Sequence, residues 1–184
     1  QCGSRKPLPP HGVDPGHAPT PRLPFEVIHL DFKGPLHGSE DYDHILVVVC
    51  ALTRYVIYIP TRGRAATTVF RELVNKVFSI FGLPRAVISD NGNEFRGELA
   101  EEMSKYLGYR KVHVLPWRPQ ANGVAEAAVK RIKLLLAKHT KRFNQWHRIL
   151  ALAQYALNTS VHHGLGGGVN GMSAFALLFG REPI

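Results

Sequence analysis

The spacing of apolar residues changes part-way along this chain, and that change restricts the folds it can adopt. β-Branched and aromatic residues dominate three short stretches, at about 25–33, 43–50 and 54–60, which is typical of β-strands. Only residues 51–53 separate the second stretch from the third, so these two strands should pair antiparallel. The connector at 34–42 is also short enough for an antiparallel return.

Beyond residue 64 the apolar residues recur at helical spacing. They predict a helix over 65–81, ended by Gly82, and then a strand at 85–89, a helix at 96–107 and a strand at 110–115. Strands separated by helices are expected to run parallel. The order therefore predicts an α/β fold with a mixed five-stranded sheet, three antiparallel strands and then two parallel ones, flanked by helices. The inward residues of the first helix would be Val69, Leu73, Val77 and either Ile80 or Phe81.

The C-terminal third is predicted to be helical. Helical patterns run from Gly123 to about His139 and over 143–159, and a short helix closes the chain within 172–179. Five glycines at 164–171 indicate a mobile loop. The buried faces of the two long helices would contain Ala128, Ile132, Leu135 and Leu136 in the first, and Phe143, Trp146, Ile149, Leu150, Ala153 and Leu157 in the second.

Proline usage divides the chain into a linker and one domain. Residues 1–24 contain seven of the 13 prolines, which favours an extended linker. Residues 25–184 form the domain, and 184 residues that are 45% hydrophobic suffice for a core. Cys50, within an apolar run, is expected to be buried. Cys2 lies far from Cys50 in the sequence, so a disulfide has no particular support and an intracellular setting fits. No run reaches the roughly 18 apolar residues of a transmembrane helix, so no membrane association is expected.

Positive charge is concentrated towards the C-terminus. Residues 127–184 contain eight Lys and Arg residues against one acid, Glu182, which gives +7 of the total formal charge of +9. A basic segment of this kind favours a polyanionic partner, and nucleic acid is the commonest. Composition alone leaves open the alternative of a basic surface that serves only solubility.

Three acidic residues stand where secondary structure begins or ends. Asp31 and Asp90 each follow an apolar run, and Glu126 lies in the first turns of the helix that begins near residue 123. Carboxylates brought together without a cation would repel, and one would hold its proton. Mg²⁺ prefers oxygen ligands, and two such ions roughly 3.5–4 Å apart suit in-line displacement at phosphorus. The three residues are candidate ligands, although each alone could be a turn or helix-terminus residue.

The sequence around these residues resembles that of a known family. The 35 residues between Asp90 and Glu126 match the spacing in the Asp-Asp-Glu signature of retroviral integrases. The chain reads Ile-Ser-Asp-Asn-Gly-Asn-Glu-Phe at 88–95, Arg-Pro-Gln-Ala-Asn-Gly-Val-Ala-Glu at 118–126 and Phe-Gly-Arg-Glu-Pro at 179–183. These motifs are more similar to integrases of gypsy-type LTR retrotransposons than to retroviral ones. The resemblance covers roughly residues 25–183.

The resemblance implies an RNase H-like fold and a DNA integration enzyme. Asp31, Asp90 and Glu126 would be its catalytic residues and would hold two Mg²⁺ or Mn²⁺ ions. The family trims the 3′ ends of the element's DNA and joins those ends to target DNA. Cys2 resembles the last ligand of the family's zinc module, so Zn²⁺ is expected only in a module that precedes this sequence. The family also implies a homo-oligomer located in the nucleus or in a virus-like particle.

The resemblance also indicates where DNA would be contacted. Lys130 and Lys133 fall on the same side of the helix as the catalytic carboxylate and could bind phosphates. Arg118, Gln120 and Asn122 precede the helix and could touch a phosphate or a base. The structural alternatives are a solvated helix face for the lysines, and loop polarity or helix capping for the other three.

Four positions depart from the family's usual pattern. Arg118 replaces His, Ala127 replaces Arg, Val129 replaces Asn and Cys50 replaces Asp, and none of these changes removes a metal ligand. They fit either a divergent lineage or a degraded or domesticated copy. The alternative functions are therefore an integrase-like domain that binds DNA or protein without catalysis, and another RNase H-like nuclease.

Overall fold

A mixed β-sheet lies at the centre of the fold, with helices on both faces. The computed structural model describes residues 19–37, 39–89, 101, 105–113, 123–139, 145–162 and 171–183. The main strands are β1 (Val27–Lys33), β2 (His44–Cys50), β3 (Val56–Thr61), β4 (Ala86–Ser89) and β5 (Arg110–His113). They lie in the order β3-β2-β1-β4-β5. Strands β1–β2 and β2–β3 pair antiparallel, and β1–β4 and β4–β5 pair parallel. The predicted α/β class, the mixed sheet and the pairing directions are confirmed.

Helix α1 differs from the regular helix predicted over 65–81. It comprises an α-helix at Ala66–Leu73, a π-helical turn at Val74–Phe78 and a last α-turn at Ser79–Phe81. The wider π turn shifts the helical register, so Phe78 is buried while Ile80 is 67% exposed. Of the two predicted inward candidates, Phe81 is the packed one, because its ring stacks on Phe25 with centroids 3.8 Å apart.

The two faces of the sheet carry separate apolar clusters. On one face, Ile28 and Leu30 of β1 pack in a cluster with Val69 and Leu73 of α1. The other face is covered by α2 (Gly123–His139) and by α3 (Leu150–Thr159), which is preceded by a 3₁₀ turn at Trp146–Ile149. Because successive residues of β1 project to opposite faces, each face of this strand meets a different helix.

The described parts of the two long C-terminal helices agree with the prediction. Ala128, Ile132 and Leu136 of α2 are buried as expected, and Trp146 and Leu150 are buried beside them. Leu135 is only half-buried, whereas Ala125, which the pattern did not single out, is fully buried. The predicted helix at 143–159 is helical from 146 onward, and residues 143 and 144 lie outside the described residues.

A small hairpin not predicted from the sequence follows α3. Strand β6 (Val161–His162) pairs antiparallel with β7 (Met172–Ser173), and helix α4 (Ala174–Phe179) follows. The helix predicted within 172–179 therefore begins at Ala174, because Ser173 takes the N-cap position and its Oγ accepts a hydrogen bond from the backbone N–H of Ala176 at 3.0 Å. In the part of the chain described, no helix is both long and apolar enough to cross a membrane.

Cys50 is fully buried, as predicted. Its Sγ accepts hydrogen bonds from the backbone N–H groups of Phe25 at 3.2 Å and Thr53 at 3.4 Å. Residues 101 and 105–107 of the predicted 96–107 helix are helical. Several predictions lie outside the described residues: Cys2 and the linker up to residue 18, the rest of the 96–107 helix, residues 114 and 115 of the fifth strand, and residues 164–170 of the glycine-rich segment.

Candidate active site

Asp31 lies on the face of the sheet that α2 covers. It pairs with Val47 across the β1–β2 ladder, and residues directly opposite each other project from the same face. Val47 is fully buried in a cluster with Ala125 and Ala128 of α2. Asp31 itself is half-buried, and its Oδ1 accepts a hydrogen bond from the backbone N–H of Phe32 at 2.7 Å. The sheet therefore holds a partly exposed carboxylate on the α2 side.

Glu126 projects from one flank of α2. It lies in the first turns of the helix and is exposed. Lys130 and Lys133 are also exposed, and their spacing of four and seven residues from Glu126 places all three on one flank. This flank therefore carries one carboxylate near the positive end of the helix dipole and two ammonium groups further along.

A groove lies on the opposite flank of α2, and its lining shows which way the flank of Glu126 faces. Ala127 and Arg131 line that groove together with Val56 and Tyr58 of β3. Strand β3 is the edge strand beyond β2, whereas β4 lies beyond β1. Because the two flanks point in opposite directions across the sheet, the flank of Glu126 faces the side on which β4 lies.

A buried tyrosine fixes α2 to the sheet. The hydroxyl of Tyr58 donates a hydrogen bond to the backbone carbonyl of Ala128 at 2.9 Å. Burial raises the pKa of Tyr58 well above its ordinary value, and the positive charge of Arg131 opposes this only in part, so the phenol stays protonated as a donor. This residue was not among those predicted from the sequence. A tyrosine within a strand rich in apolar residues was the available signal, because a buried hydroxyl requires a partner.

Two side-chain amides of α3 also went unpredicted. Asn158 accepts from the backbone N–H of Val56 and donates to the carbonyl of the same residue, both at 2.8 Å. Gln154 accepts from the backbone N–H of Tyr58 at 2.9 Å. Among the described strands β3 is the edge strand, and these bonds satisfy backbone groups that it does not pair with β2. They fix the position of β3, which in turn positions α2 through Tyr58.

The remaining predicted site residues lie outside the described residues. They are Asp90, Arg118, Gln120 and Asn122. The β1–β4 ladder pairs Leu30 with Ser89, and Asp31 and Asp90 are the next residues along the sequence. Among the described residues, no three His, Cys, Asp or Glu side chains gather into a group that could hold a metal ion. The described residues thus place Asp31 and the helix that carries Glu126 on the same face of the sheet. The third predicted carboxylate, Asp90, is identified from the sequence alone.

Comparison with known protein sequences identifies relatives that include viral Pol polyproteins. No family model matches the chain. It is 33% identical over 164 residues to the uncharacterized protein K02A2.6 of Caenorhabditis elegans, a match that covers 89% of this chain and 12% of that protein. It is 30% identical over 160 residues to the Pro-Pol polyprotein of feline foamy virus, covering 86% of this chain and 14% of the polyprotein. The chain thus corresponds to a small part of each relative.

Solved structures with a similar fold include integrase catalytic core domains and an intasome. The simian T-cell lymphotropic virus intasome, solved in complex with the PP2A regulatory subunit B56 gamma, aligns with a TM-score of 0.74 at 19% identity and covers 98% of this chain and 64% of the matched one. The HTLV-2 integrase catalytic core domain, solved as a dimer with magnesium, aligns with a TM-score of 0.65 at 17% identity and covers 84% of this chain and 96% of that domain. At these identities the similarity establishes the fold, which is the RNase H-like fold predicted from the motifs.

Proposed function

Because the chain belongs to the family of integrase catalytic cores, we propose that it catalyses metal-dependent polynucleotidyl transfer on DNA. The reactions are trimming of the 3′ ends of a retroelement's DNA and joining of those ends to target DNA. The observation that carries this proposal is the placement of two carboxylates. Asp31 lies on the sheet face covered by α2, and Glu126 projects from the flank of α2 that faces the β4 side.

Asp90 is proposed as the third carboxylate. The last described pair of the parallel β1–β4 ladder is Leu30 with Ser89, and Asp31 and Asp90 are the next residues along the sequence. Residues at equivalent positions on neighbouring parallel strands project to the same face. The register therefore favours a site beside Asp31 of β1 and the carboxyl end of β4, on the side towards which Glu126 faces.

The donor set fits a pair of Mg²⁺ or Mn²⁺ ions. Three carboxylates offer hard oxygen ligands, and no thiolate or imidazole is needed. When bound, the ions supply Lewis acidity for the attacking water or 3′-hydroxyl and for the leaving oxygen. The protein's part is positioning. The backbone N–H of Phe32 orients the Asp31 carboxylate, and Tyr58 holds the helix that carries Glu126.

DNA is proposed to lie along the flank of α2 that carries Glu126. Lys130 and Lys133 are exposed on that flank and would bind phosphates beside the metal ions. Arg118, Gln120 and Asn122 remain proposed DNA contacts in the segment before α2. The proposal extends to a homo-oligomer located in the nucleus or in a virus-like particle. The homo-oligomer draws support from the dimeric form of the HTLV-2 domain and from two exposed apolar residues of α3, Leu152 at 70% and Tyr155 at 50%.

The test of this proposal combines metal binding with DNA end joining. Mn²⁺ binding is measured by calorimetry on the purified chain, and end joining is measured on the full-length parent protein with donor DNAs of different end sequences. We expect Asp31→Asn, Asp90→Asn and Glu126→Gln each to abolish joining and to weaken Mn²⁺ binding. Glu40→Gln, at an exposed acid, is the matched control. Wild-type joining by Asp90→Asn would refute the proposed site.

The same experiment separates the alternative functions. An integrase-like domain that had lost catalysis would bind DNA or protein but no Mn²⁺, an outcome favoured by the four departures at Cys50, Arg118, Ala127 and Val129. Another RNase H-like nuclease would hydrolyse RNA–DNA hybrids without joining ends. Cys50 is fully buried, and its Sγ accepts two backbone hydrogen bonds. The fold therefore accommodates cysteine at this position.

A further inference from the structure

A groove of about 540 Å³ lies on the flank of α2 opposite Glu126. Its floor is apolar and includes Val49 of β2, Val56 of β3 and Leu157 of α3, and the exposed Val161 of β6 also lines it. Its volume falls within the range of roughly 300–1,000 Å³ that small-molecule sites occupy. The groove is separate from the proposed catalytic site, because the helix stands between them.

The rim of this groove is cationic. Arg54 and Arg131, both exposed, belong to the lining, and none of the described residues that line the groove is acidic. His162 also lines the groove, and its Nε2 lies 3.4 Å from Nη1 of Arg131. Burial and the neighbouring Arg131 hold the pKa of His162 below its ordinary value, so the imidazole is neutral at pH 7 and accepts the hydrogen bond. The positive charge at neutral pH therefore comes from the two guanidinium groups.

The polar groups on the floor are already satisfied. The hydroxyl of Tyr58 bonds the carbonyl of Ala128, and the amide of Asn158 bonds the backbone of Val56. An entering molecule therefore meets an apolar floor and two arginines above it. Such a floor suits an apolar group better than a nucleic-acid backbone, which is polar along its whole length. Arginine binds carboxylate and phosphate groups through paired hydrogen bonds.

We propose that this groove binds a small amphipathic anion, an organic molecule with an apolar body and a carboxylate or phosphate head. The apolar body packs on Val49, Val56 and Leu157, and the head is bound by Arg54 and Arg131. This site is independent of the catalytic proposal, because none of its residues is among the proposed metal ligands or DNA contacts.

The test uses four probes that separate the two parts of the ligand. Octanoate, octyl phosphate, 1-octanol and inorganic phosphate are titrated into the ¹⁵N-labelled chain, and amide shifts are followed by NMR. We expect saturable shifts around residues 123–131 and 157–162 with both octyl anions. Binding of 1-octanol should be about tenfold weaker, since each charged hydrogen bond contributes about 1.5 kcal/mol or more. Inorganic phosphate should give no saturable shift. The ratio between the two octyl anions distinguishes a carboxylate ligand from a phosphate ligand.

Three variants and one control complete the test. Arg54 has φ +63°, so Arg54→Gly removes its charge while suiting the left-handed backbone. Arg131→Gln removes the second charge, and Ala127→Phe fills the groove without changing charge. Each should weaken octanoate binding about tenfold or more, whereas Arg148→Gln, at an exposed residue outside the groove, should leave it unchanged. Equal binding of octanol and octanoate, or equal loss in Arg148→Gln, would overturn the proposal.

Discussion

The side-chain amide of Asn158 pairs with both backbone groups of Val56, at 2.8 Å in each direction. The two residues are 102 positions apart in the sequence, and the amide takes the place that another strand would occupy at the edge of the sheet. Edge strands left unpaired are sites of aggregation. Asn158 therefore satisfies the free backbone groups of Val56 at the edge of the sheet and also attaches α3 to β3.

Replacing Asn158 should destabilise the protein more than replacing Gln154 or Leu152, which also lie on α3. Asn158→Leu leaves the buried N–H and C=O of Val56 without partners, and we expect the free energy of unfolding to fall by about 3 kcal/mol. Gln154→Leu removes one bond and should cost about 1 kcal/mol. Leu152→Ala, at a 70% exposed position, should change it by no more than about 0.5 kcal/mol. Urea denaturation measures all three, and equal losses would contradict the assignment.

Loss of the Tyr58 hydroxyl should destabilise α2 locally more than it lowers the stability of the whole protein. Tyr58→Phe keeps the buried ring but loses the bond to Ala128, so we expect a global loss of about 1 kcal/mol with faster amide exchange concentrated in α2. Tyr106→Phe, at an 87% exposed tyrosine, is the control. Hydrogen exchange read by mass spectrometry checks the prediction, and uniform acceleration across the sheet would argue against a specific attachment of α2.

Gly34 is required where the chain leaves β1. It has φ +156°, and a Cβ there would lie 2.7 Å from Cγ of His44 and 2.8 Å from the carbonyl oxygen of Asp43. Gly34→Ala should therefore lower the free energy of unfolding by about 3 kcal/mol, combining backbone strain with overpacking. Gly63, at φ +72°, has open space around its Cβ position, so Gly63→Ala should cost only the strain, about 1 kcal/mol. Thermal denaturation distinguishes the two, and equal costs would exclude the steric contribution.

Glu26 should make stability depend on pH in the acidic range. Its carboxylate accepts hydrogen bonds from the backbone N–H groups of Arg22 at 2.6 Å and Leu23 at 3.1 Å and lies 3.3 Å from Arg85. The N–H of Arg22, above all, lowers its pKa from the ordinary value of 4.5; burial opposes this, and Leu23 and Arg85 lower it further.

A lowered pKa in the folded state means that the unfolded chain binds the proton more readily. The stabilisation from Glu26 is therefore fully present above about pH 4.5 and is lost as the pH falls through the lower, folded-state pKa. Glu26→Gln should be less stable than the wild type at pH 7, and the difference should shrink towards pH 2. Urea titrations across that range measure it, with Glu40→Gln as the exposed control. A difference independent of pH would disprove the linkage.

Lys130 and Lys133 should contribute to DNA affinity through charge alone. Each of Lys130→Gln and Lys133→Gln should weaken binding similarly for all sequences and reduce the slope of log K against log salt by about 1. Lys76→Gln is the control, because Lys76 lies 2.9 Å from Glu72 on α1 and is already paired. Fluorescence anisotropy at several salt concentrations gives the slopes. Unchanged slopes in both α2 variants would show that Lys130 and Lys133 do not contact DNA and are only solvated.

The sequence by itself determined the type and order of the main elements. Period-two and helical patterns arise from residues within one strand or one helix, so they can be recognised in the sequence without knowing the tertiary structure. They gave the β1–β3 antiparallel set, the later parallel strands and the span of α2 from Gly123 to His139. They also placed Asp31 in a strand and Glu126 in the first turns of a helix.

The tertiary structure decided which atoms meet. An apolar pattern shows which face of a helix is buried, but the partner of each polar group depends on the order of strands and on elements about a hundred residues away. The pairing of Asn158 with Val56, the attachment of α2 by Tyr58 and the cationic groove around Arg131 follow only from that order. The direction in which Glu126 faces has the same origin, because it depends on which flank of α2 the edge strand occupies.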